Sequence, residues 1–320
     1  MVYLIVHRPE SRYNNLMKNN QNIKFAFFGT GDFALGVIKA METNGYLPDL
    51  VITTPDKPQG RKMVLTPSPV KIWAQERNIA ILQPKSLRKI EDEVHSVLQG
   101  YPVFIVADYG KIIPQEVIDI PEKGILNVHP SLLPKFRGAT PIQSFILSGE
   151  EETGVVVTQV DADMDHGPIL AQEKLSCPIL VSEFSKINHA GLRDALSITG
   201  GNLLAKVLQD YLDDKIELKE QDHSKATFTE KIRKEDGLIN WDKPTVEIYN
   251  QIRAVTPWPG AYFFINKNDK PFRIIITKAK LSGEKLIIEK IKPEGKNEMS
   301  FENFANGNKD IIGQITDLLK

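Results

Sequence analysis

A single cysteine, Cys177, occurs in 320 residues. No intramolecular disulfide is possible, and no cysteine-based metal site is implied. The six histidines, His7, His95, His129, His166, His189 and His223, are scattered without an H-x-x-x-H spacing, so no metal is expected. No apolar run approaches a membrane span, and Val2–Val6 is too short for a signal-peptide core. A surplus of one charge is missing as well: 40 Lys and Arg stand against 41 Asp and Glu, a net charge of −1. The molecule as a whole is therefore no general polyanion binder, and any contact with nucleic acid must come from a local patch. Residues 1–22 are polar and asparagine-rich with few arginines, and are expected to be a loosely ordered extension. A monomer in the cytoplasm is the expectation. What remains is ordinary for a globular protein: 41% hydrophobic and 25% charged residues, in a length that accommodates two domains.

Short apolar runs alternate with helix-like stretches through the first two thirds of the chain. Strands are predicted at Ile23–Phe28, Asp49–Thr54, Ile79–Leu82, Val103–Ala107, Gly124–His129, Val155–Val160 and Ile169–Lys174. Helices are predicted at 32–44, 69–77, 85–99, 114–119, 140–148 and 182–213. Such alternation implies an α/β fold with a mainly parallel, Rossmann-like sheet covered by helices on both faces. The stretch 209–228 is charged and poor in large apolar residues, and reads as a linker between a catalytic domain at 23–208 and a second domain at 229–320. After a helix at 244–254, the second domain is β-rich, with strands at Ala261–Ile265, Phe272–Leu281 and Lys285–Ile291. A small barrel-like domain is expected there.

The chemistry concentrates in two stretches. Asn127 and His129 end an apolar strand, and residues i and i+2 of a strand project from one face. About twenty residues on, Asp161, Asp163 and Asp165 follow another apolar run. Asp165 lies two residues before Gly167, which permits a tight reversal into a cleft; Asp161 and Asp163 read as solvated loop groups. An amide, an imidazole and a carboxylate are the parts needed to move a proton and hold an oxyanion. No serine or cysteine nucleophile is set beside them in an elbow, which points to direct transfer without a covalent enzyme intermediate. In open α/β sheets ligands sit beyond the carboxyl ends of strands, which favours this region as the site.

Two other segments carry signals. Gly29-Thr30-Gly31-Asp32-Phe33-Ala34 fits a loose dinucleotide fingerprint, with Asp49 about twenty residues on, and keeps an NAD-linked dehydrogenase open. The Asp32 carboxylate would crowd a pyrophosphate there. Pro55–Lys62 holds Lys57, Arg61 and Lys62 in a proline- and glycine-bearing excursion, either a solvated mobile loop or a phosphate-contacting one. A run of lysines including Lys278 and Lys280 is either a solvated strand face or a track for a folded RNA.

With these residues in view, the chain resembles the formyltransferases that use 10-formyltetrahydrofolate. Asn127-Val-His129-Pro-Ser-Leu-Leu-Pro134 with Asp165-His-Gly is similar to the signature of that superfamily. Within it, the branch acting on initiator methionyl-tRNA is favoured by Thr54–Arg61, Thr66–Lys71, Ala107–Pro114, Lys135–Gln143, Lys231–Trp241 and Arg253–Gly260. The resemblance implies that Asn127, His129 and Asp165 are catalytic. It implies a folate co-substrate near Tyr109, Gly110, Ile112, Ser131, Leu132, Leu133, Pro134, Asp161 and Gly167, and tRNA contacts by Lys57, Arg61, Lys62, Lys278 and Lys280. It also implies an OB-like second domain, which is short here. A sugar-nucleotide N-formyltransferase is the nearest enzyme alternative, and a tRNA-binding protein with an inactive catalytic domain a further one.

Overall fold

The structure, a computed structural model, describes residues 23–60, 62–88, 92–175 and 187–318. Cys177, Arg61 and the expected extension at 1–22 lie outside the described residues. In chain order the elements are β1 (Phe25–Gly29), α1 (Asp32–Thr43), β2 (Leu50–Ile52), β3 (Lys57–Gln59), β4 (Val64–Thr66), α2 (Pro69–Glu76) and β5 (Ala80–Leu82). Then come α3 (Asp92–Leu98), β6 (Val103–Ala107), α4 (Gln115–Ile118), β7 (Ile125–His129), β8 (Arg137–Gly138), α5 (Pro141–Ser148), β9 (Gly154–Gln159), β10 (Ile169–Lys174) and α6 (His189–Leu212). The remainder holds β11 (Phe228–Thr229), α7 (Thr245–Ala254), β12 (Ala261–Lys267), β13 (Lys270–Ser282), β14 (Lys285–Pro293), β15 (Met299–Ser300), α8 (Phe301–Asn306) and α9 (Lys309–Leu318).

Contacts divide the chain into two compact units. One draws on the described residues of Met1–Ala139, Thr153–Leu175 and Arg193–Phe228; the other on those of Thr140–Glu152, Ser176–Leu192 and Thr229–Lys320. The first unit is built on a seven-stranded sheet of order β10-β9-β7-β6-β1-β2-β5. Strands β7, β6, β1, β2 and β5 run parallel, β9 opposes β7, and β10 opposes β9. The expected mainly parallel sheet is therefore present. Central β1 and β6 are buried at every residue, which is why they read as unbroken apolar runs. One face carries Phe28, Leu50, Ile52, Leu82, Leu98, Phe104 and Val117 in a single cluster. On the other face α6 lies close because Gly200 and Gly201 present no side chain: a Cβ on Gly200 would meet Val128, and one on Gly201 would meet Val37 and Ala40.

Three expectations need correction. Residues 85–88 are not helical, and the described part of the helix expected at 85–99 is Asp92–Leu98. The described residues of the Pro55–Lys62 excursion include strand β3, which pairs with β4 beyond it, Lys57 with Thr66 and Gln59 with Val64. The stretch 209–228, expected as a linker, continues α6 to Leu212 and is then packed onto the first unit: Lys219 exchanges backbone hydrogen bonds with Ile169, and Thr227 pairs with Pro134 and Arg137.

The second unit centres on an antiparallel four-stranded sheet of order β12-β13-β14-β15. Ala261, Phe263 and Ile265 point inward along β12 while Phe264 and Asn266 face out, the alternation of a half-buried strand. Helix α5, although it falls in the chain between two strands of the first unit's sheet, belongs here and packs on α7. Its Ile142, Phe145 and Ile146 are buried. The C-terminal α9 protects the edge strand: Gln314 donates to the Asn266 carbonyl and accepts from the Asn266 N–H, both at 2.9 Å.

Candidate active site

Parallel pairing of β6 with β7 brings Tyr109–Ile112, after β6, and His129–Pro134, at the end of β7, to one edge of the sheet. Strand β9 runs the other way, so its carboxyl end lies beside Ile125, at the start of β7. The two polar stretches thus leave opposite ends of neighbouring strands. They meet because loop 161–167 doubles back. Gly167 allows the return, since a Cβ there would strike the Gln159 carbonyl, and Asp165 takes up a left-handed φ of 53°.

The meeting point is the Asp165 carboxylate. Asn127 Nδ2 donates to Asp165 Oδ1 at 3.3 Å, and His129 Nδ1 faces the same oxygen at 3.5 Å. The i, i+2 spacing on β7 therefore does put amide and imidazole on one face. Asp165 Oδ2 accepts the Gly138 N–H at 2.7 Å. His129 Nε2 lies 3.1 Å from the Phe136 carbonyl, which can only accept, so Nε2 carries the proton of the neutral ring, and Nδ1, turned to Asp165, is where a second proton would be taken up. The side chains of His129 and Asp165 are only 5% and 12% exposed, which strengthens the electrostatics between them. The second N–H of the Asn127 amide has no partner among the described residues and is available to a developing oxyanion.

The other sequence-marked residues are placed as follows. Tyr109 packs edge-on against Phe28 in the core, so its backbone is what it presents; burial pushes its phenol above the usual range. Gly110 adopts a φ of 74°, and Ile112 is exposed. Ser131 is buried and spends its hydroxyl on the Lys135 carbonyl at 2.7 Å. Leu133 is buried, while Leu132 and Pro134 are half-buried. Asp161 pairs with His166 at 2.7 Å, which explains a group read as merely solvated. Lys57 and Lys62 are exposed on the β3–β4 hairpin. In the second unit Lys278 and Lys280 are exposed and both reach Glu289, at 3.1 and 3.2 Å. The fingerprint residue Asp32 is held by Arg193 at 2.6 Å.

Sequence reasoning missed Arg137 and Gln221. Arg137 is buried and donates through Nε and a terminal nitrogen to Gln221 Oε1, at 3.2 and 2.7 Å. Arg137 was visible only as part of the Lys135–Gln143 stretch that carries the family resemblance, and Gln221 sits in a charged run whose composition carries no such signal.

Comparison with known proteins decides the family. Formyl transferase matches residues 22–190, more than half of the chain, and its C-terminal domain matches 231–285. The chain belongs to the formyl transferase family. A methionyl-tRNA formyltransferase of Bacillus velezensis is 35% identical over 321 residues, spanning 92% of this chain and 99% of that protein. One from Chloroflexus aurantiacus is 44% identical over 255 residues, 79% of each. The fold is shared with an N-formyltransferase from Helicobacter canadensis in complex with folinic acid and dTDP-3-aminofucose, with a TM-score of 0.56 and 20% identity over 87% of this chain and 98% of that one. Members of the family use formyl-tetrahydrofolate. The dehydrogenase alternative falls with this membership, and formyl transfer is the chemistry of the enzyme.

Proposed function

We propose that this enzyme transfers the formyl group of 10-formyltetrahydrofolate to the amino group of methionine carried by initiator tRNA. The observation that carries this reading is the convergence of Asn127 and His129 on one oxygen of Asp165, within 3.5 Å, in a chain that matches curated methionyl-tRNA formyltransferases over nearly their whole length. The neutral amine attacks the formyl carbon. Asn127 donates its second N–H to the oxyanion that develops. His129, with Nε2 fixed by the Phe136 carbonyl, exchanges a proton at Nδ1 under the field of Asp165. The new C–N bond forms as the bond to N10 of the folate breaks, and the proton lost by the amine returns to N10, so charge and atoms balance.

The hairpin cations Lys57, Arg61 and Lys62, with Lys278 and Lys280 of the second unit, are proposed to meet the tRNA backbone. A small nucleotide sugar has no use for such a basic projection, which disfavours the sugar-nucleotide alternative. The deciding assay supplies 10-formyltetrahydrofolate with either charged initiator tRNA or a nucleotide-linked amino sugar. Formyl-methionine on tRNA and no formylated sugar is expected; formylated sugar without formylated tRNA would overturn the proposal.

A further inference from the structure

Gln221 is 5% exposed, and its amide is fully engaged. Its Nε2 donates to two backbone carbonyls of the active-site loop, Asp165 at 3.0 Å and Gly167 at 2.7 Å. Its Oε1 accepts twice from Arg137. The amide orientation is fixed by chemistry, since carbonyls only accept and a guanidinium only donates. Arg137 makes a further hydrogen bond, 2.8 Å to His223 Nδ1, and His223 stacks on His166 with ring centres 4.0 Å apart and planes within 1°. His166 in turn pairs with Asp161. Loop 161–167 is therefore held at its start through Asp161 and His166, and at its end through Gln221.

These contacts meet where the backbone is least able to hold itself. Asp165 sits at a positive φ that a non-glycine residue does not favour. Its carboxylate must nevertheless stay within reach of both Asn127 and His129. Gly138, which follows Arg137, fixes the other carboxylate oxygen. The same two-residue strand thus supports the Asp165 side chain directly and its backbone by way of Gln221.

We infer that Gln221 is a positioning residue for the formyl-transfer reaction: by clamping the Asp165 and Gly167 carbonyls to Arg137, it fixes the Asp165 carboxylate against His129. This rests on the catalytic reading proposed above. Among the described residues Gln221 makes no hydrogen bond to Asn127 or His129, so it acts through the Asp165–Gly167 backbone and Arg137.

The test uses the full chain with Gln221→Glu and Gln221→Met. Glutamate keeps the shape and the contact to Arg137 but cannot donate to the two carbonyls; methionine keeps the volume and neither contact. Steady-state kinetics with 10-formyltetrahydrofolate and charged initiator tRNA are read beside tetrahydrofolate binding stoichiometry, which counts folded sites. A loop displaced by about an ångström should cost kcat tenfold to a hundredfold, with both KM values within about twofold of wild type and one folate site per chain. The pH profile of kcat should also change, because Asp165 no longer sets the environment of His129. An unchanged kcat would overturn the inference. So would a kcat that falls only in proportion to the folded fraction with an unaltered pH profile, or two variants that both fail to fold, since Gln221 would then hold the fold and not the site. Wild type that formylates no tRNA would instead sink the parent proposal.

Discussion

The ammonium of Lys71 lies 2.8 Å from both carboxylate oxygens of Asp56, at the root of the β3–β4 hairpin. Gln83 completes the joint, donating to Asp56 Oδ1 at 2.8 Å and to the Thr54 carbonyl at 2.9 Å. Lys71 is only 8% exposed, so neutralising its partner strands a charge away from water. Asp56→Asn should therefore destabilise the fold by about 1–3 kcal/mol at neutral pH. With the hairpin loosened, KM for charged tRNA should rise while KM for the folate stays near wild type. Chemical denaturation and the two Michaelis constants check this; unchanged stability would mean that the pair is solvated.

The same carboxylate gives stability a pH dependence. Burial alone would raise the pKa of Asp56, but hydrogen bonds from Gln83 and Lys71 outweigh it and hold the group below its ordinary value. A carboxylate lowered on folding stabilises the native state above its unfolded pKa, near 3.9, and that contribution is lost as pH falls through the lower folded value. Between roughly pH 5 and pH 2, wild type should lose more stability than Asp56→Asn. Parallel losses, seen as parallel shifts in urea midpoint, would show that the pair does not survive in solution.

His129→Ala and Asp165→Ala should each lower kcat by about a hundredfold or more, the scale of a lost proton-transfer group, while folate binding is largely retained. Turnover near wild type in a folded variant of either residue would remove its assigned role.

Asn127→Ala should cost at least about 2.7 kcal/mol in the barrier if its amide serves the oxyanion. Single-turnover rates measure this directly. A loss smaller than about tenfold would leave Asn127 the lesser task of orienting Asp165.

Arg61 is proposed, with Lys57 and Lys62, to meet the tRNA backbone. Arg61→Ala should raise KM for charged tRNA, spare KM for the folate, and flatten the salt dependence of tRNA binding by roughly one unit of slope. Both constants at two salt concentrations decide the matter, because equal losses on both substrates would point to a damaged fold.

The parts of the fold legible in sequence are those governed by burial. Val103–Ala107 and Ile169–Lys174 were predicted at their observed limits, the first because a strand covered on both faces is uniformly apolar. The β3–β4 hairpin was not read as strands, since it is short, exposed and holds Pro58. The packing of 209–228 was hidden because it works through hydrogen bonds, and a buried Gln221 looks like any glutamine in a charged run. The opposed direction of β9 was illegible too, as an apolar run has no polarity. Helix α9 was overlooked, although Ile311 and Ile315, both buried, carry a helical spacing. At the site, the spacing of Asn127 and His129 sufficed for their shared face, whereas the Phe136 carbonyl and the Gly138 N–H are backbone groups that no residue type announces.

Helix α5 has a consequence for how the protein is made. A ribosome releases it before the residues of α7 that cover it, with roughly one hundred residues still to come. At about 5–20 residues per second, its Ile142, Phe145 and Ile146 wait several seconds for a partner. Assembly of the second unit is therefore necessarily post-terminal to most of synthesis, and a chain cut after 208 would carry an orphaned apolar stripe in its middle. Truncation at the apparent domain border is expected to yield aggregation-prone material, and an expressible catalytic fragment would need polar replacements on α5.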